Sequence, residues 1–337
     1  MTPQTSVDGD APASPWSTVA RTIALLTVLT SVLLTVFAWP AARSLIHDVP
    51  LVVAGPPALR AHARATLDER LPGGFDIIEV ADTATAEHLV RDRTALGAID
   101  LSSGTPQVSI ASAAGPAVAQ ALQGLASHLG QTGTGVPVRD LAALPADDPR
   151  GAGLATGTLP LAMGGLLAAV LLIKLVRGRI RRAVGAVASA VTAALAAAAI
   201  LQFWLGSLSG SYLANTGAIA LTIAAIASTA LGLESVVGSK GIGITALVML
   251  LIGNAVSGAA TAPEMLPRWA GTLGQLLPPG AGSRLVRSTA FFDGRGVTHA
   301  VVVLAVWISL GAALYLVGVL RQQPRAHTEP VAAPVPV

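Results

Sequence analysis

GTLPLAMGGLLAAVLLIKLVRGRIRRAVGAVASAVTAALAAAAILQFWL, residues 157–205, is the stretch that decides the architecture. It holds two apolar runs, 157–176 and 183–205. A helix of roughly 20 residues crosses a hydrocarbon core of about 30 Å. Lipid offers no partners for backbone N–H and C=O groups, so each run must be helical. Alanine, leucine and glycine dominate, without the two-residue alternation of a membrane β-barrel. Between the runs lies Arg177-Gly178-Arg179-Ile180-Arg181-Arg182, with Lys174 just before it. This is the densest basic cluster in the chain, and such loops stay on the cytoplasmic side.

Working outward, similar runs occupy 19–39, 216–236, 241–262 and 298–320, which makes six expected spans. The first is longer than the 7–15 residues usual for the apolar core of a signal peptide, so it reads as an uncleaved helix. The whole chain is 53% hydrophobic and only 12% charged, against about 25% charged in an ordinary soluble domain. Counting from the arginine loop places both termini in the cytoplasm of a cell-membrane protein, and Lys240, Arg321 and Arg325 agree. Segments 1–18 and 321–337 are polar and proline-containing, and read as disordered cytoplasmic tails.

Residues 41–155 differ. They carry most of the acids, including Asp68, Glu69, Asp76, Glu79, Glu87, Asp92 and Asp100. Leu51-Val52-Val53-Ala54 reads as a strand, 57–70 as a helix, Phe75 to Val80 as a strand and 83–93 as a helix. Leu96 to Leu101 and Gln107 to Ala111 follow as strands, then a helix over 116–129. Alternating strands and helices predict a small α/β domain, here extracellular and inserted between the first two spans. Residues 131–153, rich in Gly, Pro and Asp, read as a tether.

The chemistry-bearing motifs are few. No Gly-Lys-Ser/Thr phosphate loop occurs. Gly241-Ile242-Gly243-Ile244-Thr245-Ala246 matches a dinucleotide fingerprint by letters only, with no strand before it. The six His residues, at 47, 62, 88, 128, 299 and 327, do not cluster at metal-ligand spacing, and there is no cysteine. Acid pairs such as Asp68/Glu69 and Asp147/Asp148 read as lying on solvated faces or in loops. With a net charge of +3 and scattered arginines, nucleic-acid binding has no support. No catalytic site and no cofactor in this chain are expected.

Charges inside the spans are scarce, with Glu234 near one end of its run. Asn254 lies mid-span with Ser257 nearby, a pair that either lines a translocation path or bonds to a neighbouring helix. The spacings Gly185/Ser189 and Gly253/Ser257 allow close helix approach and permit a dimer seam. Segment 263–297 is the most distinctive. Apolar residues between Pro267, Pro278, Pro279, Gly280 and the turn at Phe292-Asp293 predict short helices dipping into the outer leaflet. Its Arg268, Arg284, Arg287 and Arg295 run against the charge rule, which suggests that they pack on protein.

Taken in order, Met265-Leu266-Pro267, Leu277-Pro278-Pro279-Gly280 and Phe291-Phe292-Asp293-Gly294, together with Ala86 to Arg93 followed by Gly97-Ala98-Ile99, carry a resemblance. The chain over about 19–320 resembles the permease subunits of type-2 ABC exporters, in the phage-infection-protein-like branch with a large domain between helices one and two. The resemblance implies a six-helix half-transporter. It implies pairing with a second permease copy or homologue and with cytoplasmic ABC ATPase subunits that bind the ATP. It further implies docking through Arg177, Arg179, Arg181 and Arg182, and a re-entrant segment at 263–297. The proline-rich N-terminal tail departs from relatives that carry an amphipathic interfacial helix there. Two other classes fit the residues. One is a membrane-anchored sensor or scaffold whose extracellular domain binds a ligand or envelope partner. The other is a lipid-modifying enzyme using a group such as Asp293 or Glu264.

Overall fold

A computed structural model of the chain describes residues 14–42, 46–130 and 136–321. The expected tails, with Arg325, lie largely outside the described residues. Among the described residues five helices are long and apolar enough to cross a membrane: α1 (Trp16–Ala42), α5 (Ala152–Leu175), α6 (Arg179–Ala199, continued by a wide turn to Trp204), α7 (Tyr212–Val237) and α11 (Thr298–Arg321).

Helix α7 is the hub. About 67% of its apolar stretch is buried, against 0% for α1, and α5, α6 and α11 all pack on it. Small residues allow this closeness. A methyl group at Gly311 would lie 2.4 Å from the Ser228 carbonyl carbon, and one at Gly232 would lie 2.3 Å from the Gly311 carbonyl oxygen. Farther along, Gly318 faces Ser235 in the same way. Backbones in such a seam approach until only glycine fits.

The expected span over 241–262 is shorter than predicted. Its helix begins as α8 (Lys240–Thr245), widens into a π-helical stretch (Ala246–Gly253) and stops within a few residues. Fourteen helical residues rise about 21 Å, short of a full hydrocarbon core. The stop is local chemistry. Ser257 Oγ donates to the Asn254 carbonyl (2.8 Å) and accepts from the Ala259 N–H (3.2 Å). Gly258 then turns the chain at φ +68°.

Between α1 and α5 the chain forms a small α/β unit. Its strands are β1 (Val49–Ala54), β2 (Phe75–Val80), β3 (Gly97–Asp100), β4 (Gln107–Ile110) and β5 (Val138–Asp140). Their order is β2-β1-β3-β4-β5, parallel except for the β3–β4 pair. Helices α2 (Pro57–Arg70), α3 (Thr83–Arg91) and α4 (Pro116–Gly130) complete it. Strand β1 is buried along nearly its whole length, which is why it reads as an unbroken apolar run. Asp82 starts α3 by accepting the Thr85 N–H at 2.8 Å. The expected tether is corrected here: β5 lies within it, and Asp148 ends it by accepting the N–H groups of Ala152 (2.7 Å) and Gly153 (2.8 Å). A carboxylate there answers both the unpaired N–H groups and the positive end of α5. Asp148 thus lies in a loop, as one of the two expectations had it, and is a buried cap there.

Segment 263–297 forms a short 3-10 turn (Pro263–Met265), α9 (Arg268–Leu276) and α10 (Pro278–Phe291). Nearly every residue of α10 is buried, against α7, α9 and α11. This segment and the α/β unit share one core. Ala262, Met265 and Phe292 sit among Leu96, Ala113, Ala114 and Val118 of the unit.

Candidate functional site

The four arginines expected to dock a partner divide into two pairs. Arg182 donates to the carbonyls of Val176 (2.8 Å) and Ile173 (2.9 Å), closing the C-terminal end of α5. Arg179 donates to the Val319 carbonyl at 3.2 Å, near the end of α11, and its own carbonyl accepts from Tyr315 Oη at 3.0 Å. Cations at helix C-termini satisfy orphan carbonyls and the negative end of the dipole. Arg177 and Arg181 instead face outward, with Ile180 between them 80% exposed. The α/β unit adjoins the other end of α5, about 36 Å away for a helix of 24 residues.

Asn254 and Ser257 come together in a cleft of about 160 Å³, also lined by Phe37 of α1, Ala155 of α5 and Leu266. Ser257 is engaged in stopping the helix, and its carbonyl accepts from Gln275 Nε2 at 3.0 Å. The cleft is thus lined by Asn254 with a fixed turn behind it. Neither small-residue pair forms an open seam. Gly185 faces Leu172 of α5, and Gly253 faces Pro279.

The residues singled out in 263–297 act in packing. Pro267 precedes α9, and Pro278 and Pro279 open α10, where the missing N–H costs nothing. A side chain on Gly280 would meet the Gly274 carbonyl oxygen at 2.2 Å. Phe292 is a buried plug, whereas Asp293 forms an exposed turn at φ +50°.

The arginines of this segment are ties to the α/β unit. Arg268 pairs with Asp48 (3.2 Å) and Arg295 with Asp92 (3.2 Å). Arg287, almost fully buried, donates to the carbonyls of Ala259 (2.9 Å) and Ala114 (3.4 Å). From the other side, Arg93 donates to the Arg284 carbonyl (2.9 Å) and to Ser288 Oγ, and lies over the Phe292 ring at 5.1 Å. Burial first, then the like charges of Arg287 and Arg284, lower the Arg93 guanidinium to about 9, opposed by Glu264.

Beside these ties opens a polar cavity of about 650 Å³. His47, Asp48 and Asp76 line it from the α/β unit, Glu264, Arg268 and Thr272 from the turn and α9, Arg284 from α10 and His299 from α11. A second polar cluster ties the helices together. Asn215, fully buried, donates to Gln202 Oε1 (3.0 Å) and the Ser209 carbonyl (2.8 Å), and accepts from Thr289 Oγ1 (2.8 Å). Sequence reasoning missed Arg93, Asp148 and this cluster. Arg93 meets Arg284 and Ser288, and Asn215 meets Thr289, across long stretches of chain, so spacing carried no signal for them; Asp148 lies only four and five residues before the N–H groups that it caps, a local signal that was overlooked. Among the described residues no group of three or more His, Asp or Glu side chains could hold a metal ion. Compared with protein-family models, curated proteins and solved structures, the chain matches none.

Proposed function

We propose that this chain is one permease half of an ATP-driven exporter of the plasma membrane. Its six spans are α1, α5, α6, α7, the shorter helix beginning with α8, and α11. Segment 263–297 folds back within the outer leaflet, the α/β unit is extracellular and both termini are cytoplasmic. A second permease copy or homologue completes the path. ATP is bound and hydrolysed by a cytoplasmic ABC ATPase subunit on a separate chain. The substrate is lipid-like, drug-like or peptidic, and the cleft at Asn254 lines its route.

The observation that carries this reading is the division of labour in the arginine turn. Arg179 and Arg182 fasten the turn to α11 and α5, while Arg177 and Arg181 project from it. A partner that engages the projecting pair therefore moves α5, α6 and α11 together. Guanidinium forks suit acidic grooves on such a partner. Purification of the tagged chain from its native membranes in a mild detergent tests the proposal. A P-loop ATPase should accompany it in stoichiometric amount, and the double change Arg177→Ser with Arg181→Ser should lose the ATPase while leaving insertion intact. Recovery without any ATPase, or recovery indifferent to the double change, sinks the proposal.

One observation favours a second reading, a sensor or scaffold. The α/β unit holds an apolar cleft of about 340 Å³, lined by Leu59, Ala63 and Leu67 of α2 with Ile99, Val108 and Leu125. That reading predicts a ligand or envelope partner bound through the unit, with no ATPase in the complex.

A further inference from the structure

Five arginines converge where 263–297 meets the α/β unit: Arg93, Arg268, Arg284, Arg287 and Arg295. Asp48 neutralises Arg268 and Asp92 neutralises Arg295. Arg93, Arg284 and Arg287 remain, and Glu264 is the carboxylate that acts on this group. Asp76, the other free acid on the cavity wall, lies exposed on the rim. The Nε–H groups of Arg93 and Arg284 are buried without an acceptor among the described residues. A buried donor without a partner costs about 1–3 kcal/mol, and more when the group is charged. Arg284 reaches the cavity wall itself. Arg93 and Arg287 lie behind the wall, with N–H groups donated to the carbonyls of Arg284, Ala259 and Ala114, so an oxyanion in the cavity would bond to Arg284 and be drawn by the positive charge of the other two.

The surroundings indicate where that oxyanion comes from. On α9, Trp269, Leu273 and Leu276 are exposed at helical spacing, and Leu276 also lines the cavity. Trp39 of α1 stacks on Trp269 with ring centroids 5.6 Å apart. Tryptophans of this kind lie at the headgroup level of membranes. The cavity is thus polar inside and apolar along one lip.

We infer that this cavity binds a phosphate-class oxyanion, carried by an amphiphile whose apolar part lies along Trp269 and Leu276. The inference rests on the membrane placement proposed above but not on ATP coupling, so binding is measured on the chain without an ATPase. The purified full chain in detergent is titrated with short-chain phosphatidic acid, short-chain phosphatidylcholine and inorganic phosphate, following tryptophan fluorescence and thermal unfolding. Phosphatidic acid should bind saturably and in preference to the zwitterion. Arg284→Gln should weaken it roughly tenfold or more, the loss of at least one charge-assisted hydrogen bond. Glu264→Gln, which removes the internal counter-charge, should tighten it, a gain that a misfolded variant does not produce. Competition by inorganic phosphate would show that the oxyanion alone suffices. Its failure, with phosphatidic acid still bound, would show that the apolar part is needed. Equal binding of both lipids, no saturable binding, or indifference to both substitutions overturns the inference.

Discussion

Phe292→Ala tests whether the α/β unit and the helical part share one core. Phe292 is only 4% exposed and sits among Leu96, Ala113 and Val118, with the Arg93 guanidinium over its ring. Truncating a buried phenylalanine to alanine costs about 3–5 kcal/mol, transfer and cavity terms together. Loss of the cation–π contact adds about 2 kcal/mol at a desolvated site. The loss should be local. The plug fills the base of the unit, while α7 keeps Ile219, Ile223 and Ile226 buried by α5, α6 and α11. Amide hydrogen exchange in detergent reads this directly, since protected amides exchange through local opening. At about 1.4 kcal/mol per tenfold, the combined loss of about 5–7 kcal/mol predicts exchange of the amides in β3 and β4 faster by roughly 4,000- to 100,000-fold. Amides of α7 should stay within a few fold of the parent. Unchanged protection in β3 and β4 would mean that the unit stands without its plug. Equal acceleration in α7 would mean that the two halves unfold as one, and either result refutes the reasoning.

Three further outcomes follow from the same contacts. Gly311→Val places a side chain against the Ser228 backbone at 2.4 Å, so α11 should separate from α7. Overpacking of this kind costs about 1–3 kcal/mol, readable as a lower detergent melting temperature, whereas Gly217→Ala, where a methyl meets open space within α7, should leave that temperature unchanged or raise it slightly, alanine being up to about 1 kcal/mol better than glycine in a helix. Asp148→Ala removes the cap on α5 and should cost about 0.5–2 kcal/mol, with Asp147→Ala as the milder control in the same melt. For Asp100, burial raises the carboxyl, but hydrogen bonds from Ser102 and Thr83 outweigh it and hold it below the usual range. Its stabilisation is therefore present above the unfolded value of about 3.9 and lost as pH falls through the lower folded value; acid titration of β3 exchange should show a slope that Asp100→Asn flattens.

The α/β order was legible because β1, β2 and β3 announce themselves by composition. Leu51-Val52-Val53-Ala54 is apolar on both faces because helices cover both. Strand β5 was not legible: Val138, Arg139 and Asp140 are all exposed and carry no apolar pattern, while Arg139 pairs with Glu87 and Asp140 accepts the Ser112 N–H, partners distant in sequence. The long apolar helices follow from hydropathy, but hydropathy could not see that Ser257 caps the helix after α8 or that Gly258 turns left-handed there. The Asn215 cluster joins positions 202, 209, 215 and 289, and no local pattern links them.

Charge reading shows the same boundary between pattern and contact. The rule that places basic loops on the cytoplasmic side counts charges and assumes that they meet water or lipid headgroups. In 263–297 that assumption fails for Arg287, which is buried against backbone carbonyls, while Arg268 and Arg295 stay at the surface but pair with carboxylates of the α/β unit. In the arginine turn it half fails, because Arg179 and Arg182 meet helix ends. A count of arginines therefore overstates what either end offers a partner. Free guanidinium at the turn amounts to Arg177 and Arg181, and free guanidinium at the far end centres on Arg284. The contacts, more than the charge totals, single out these side chains as the ones to change first, and they separate the test of coupling from the test of headgroup binding.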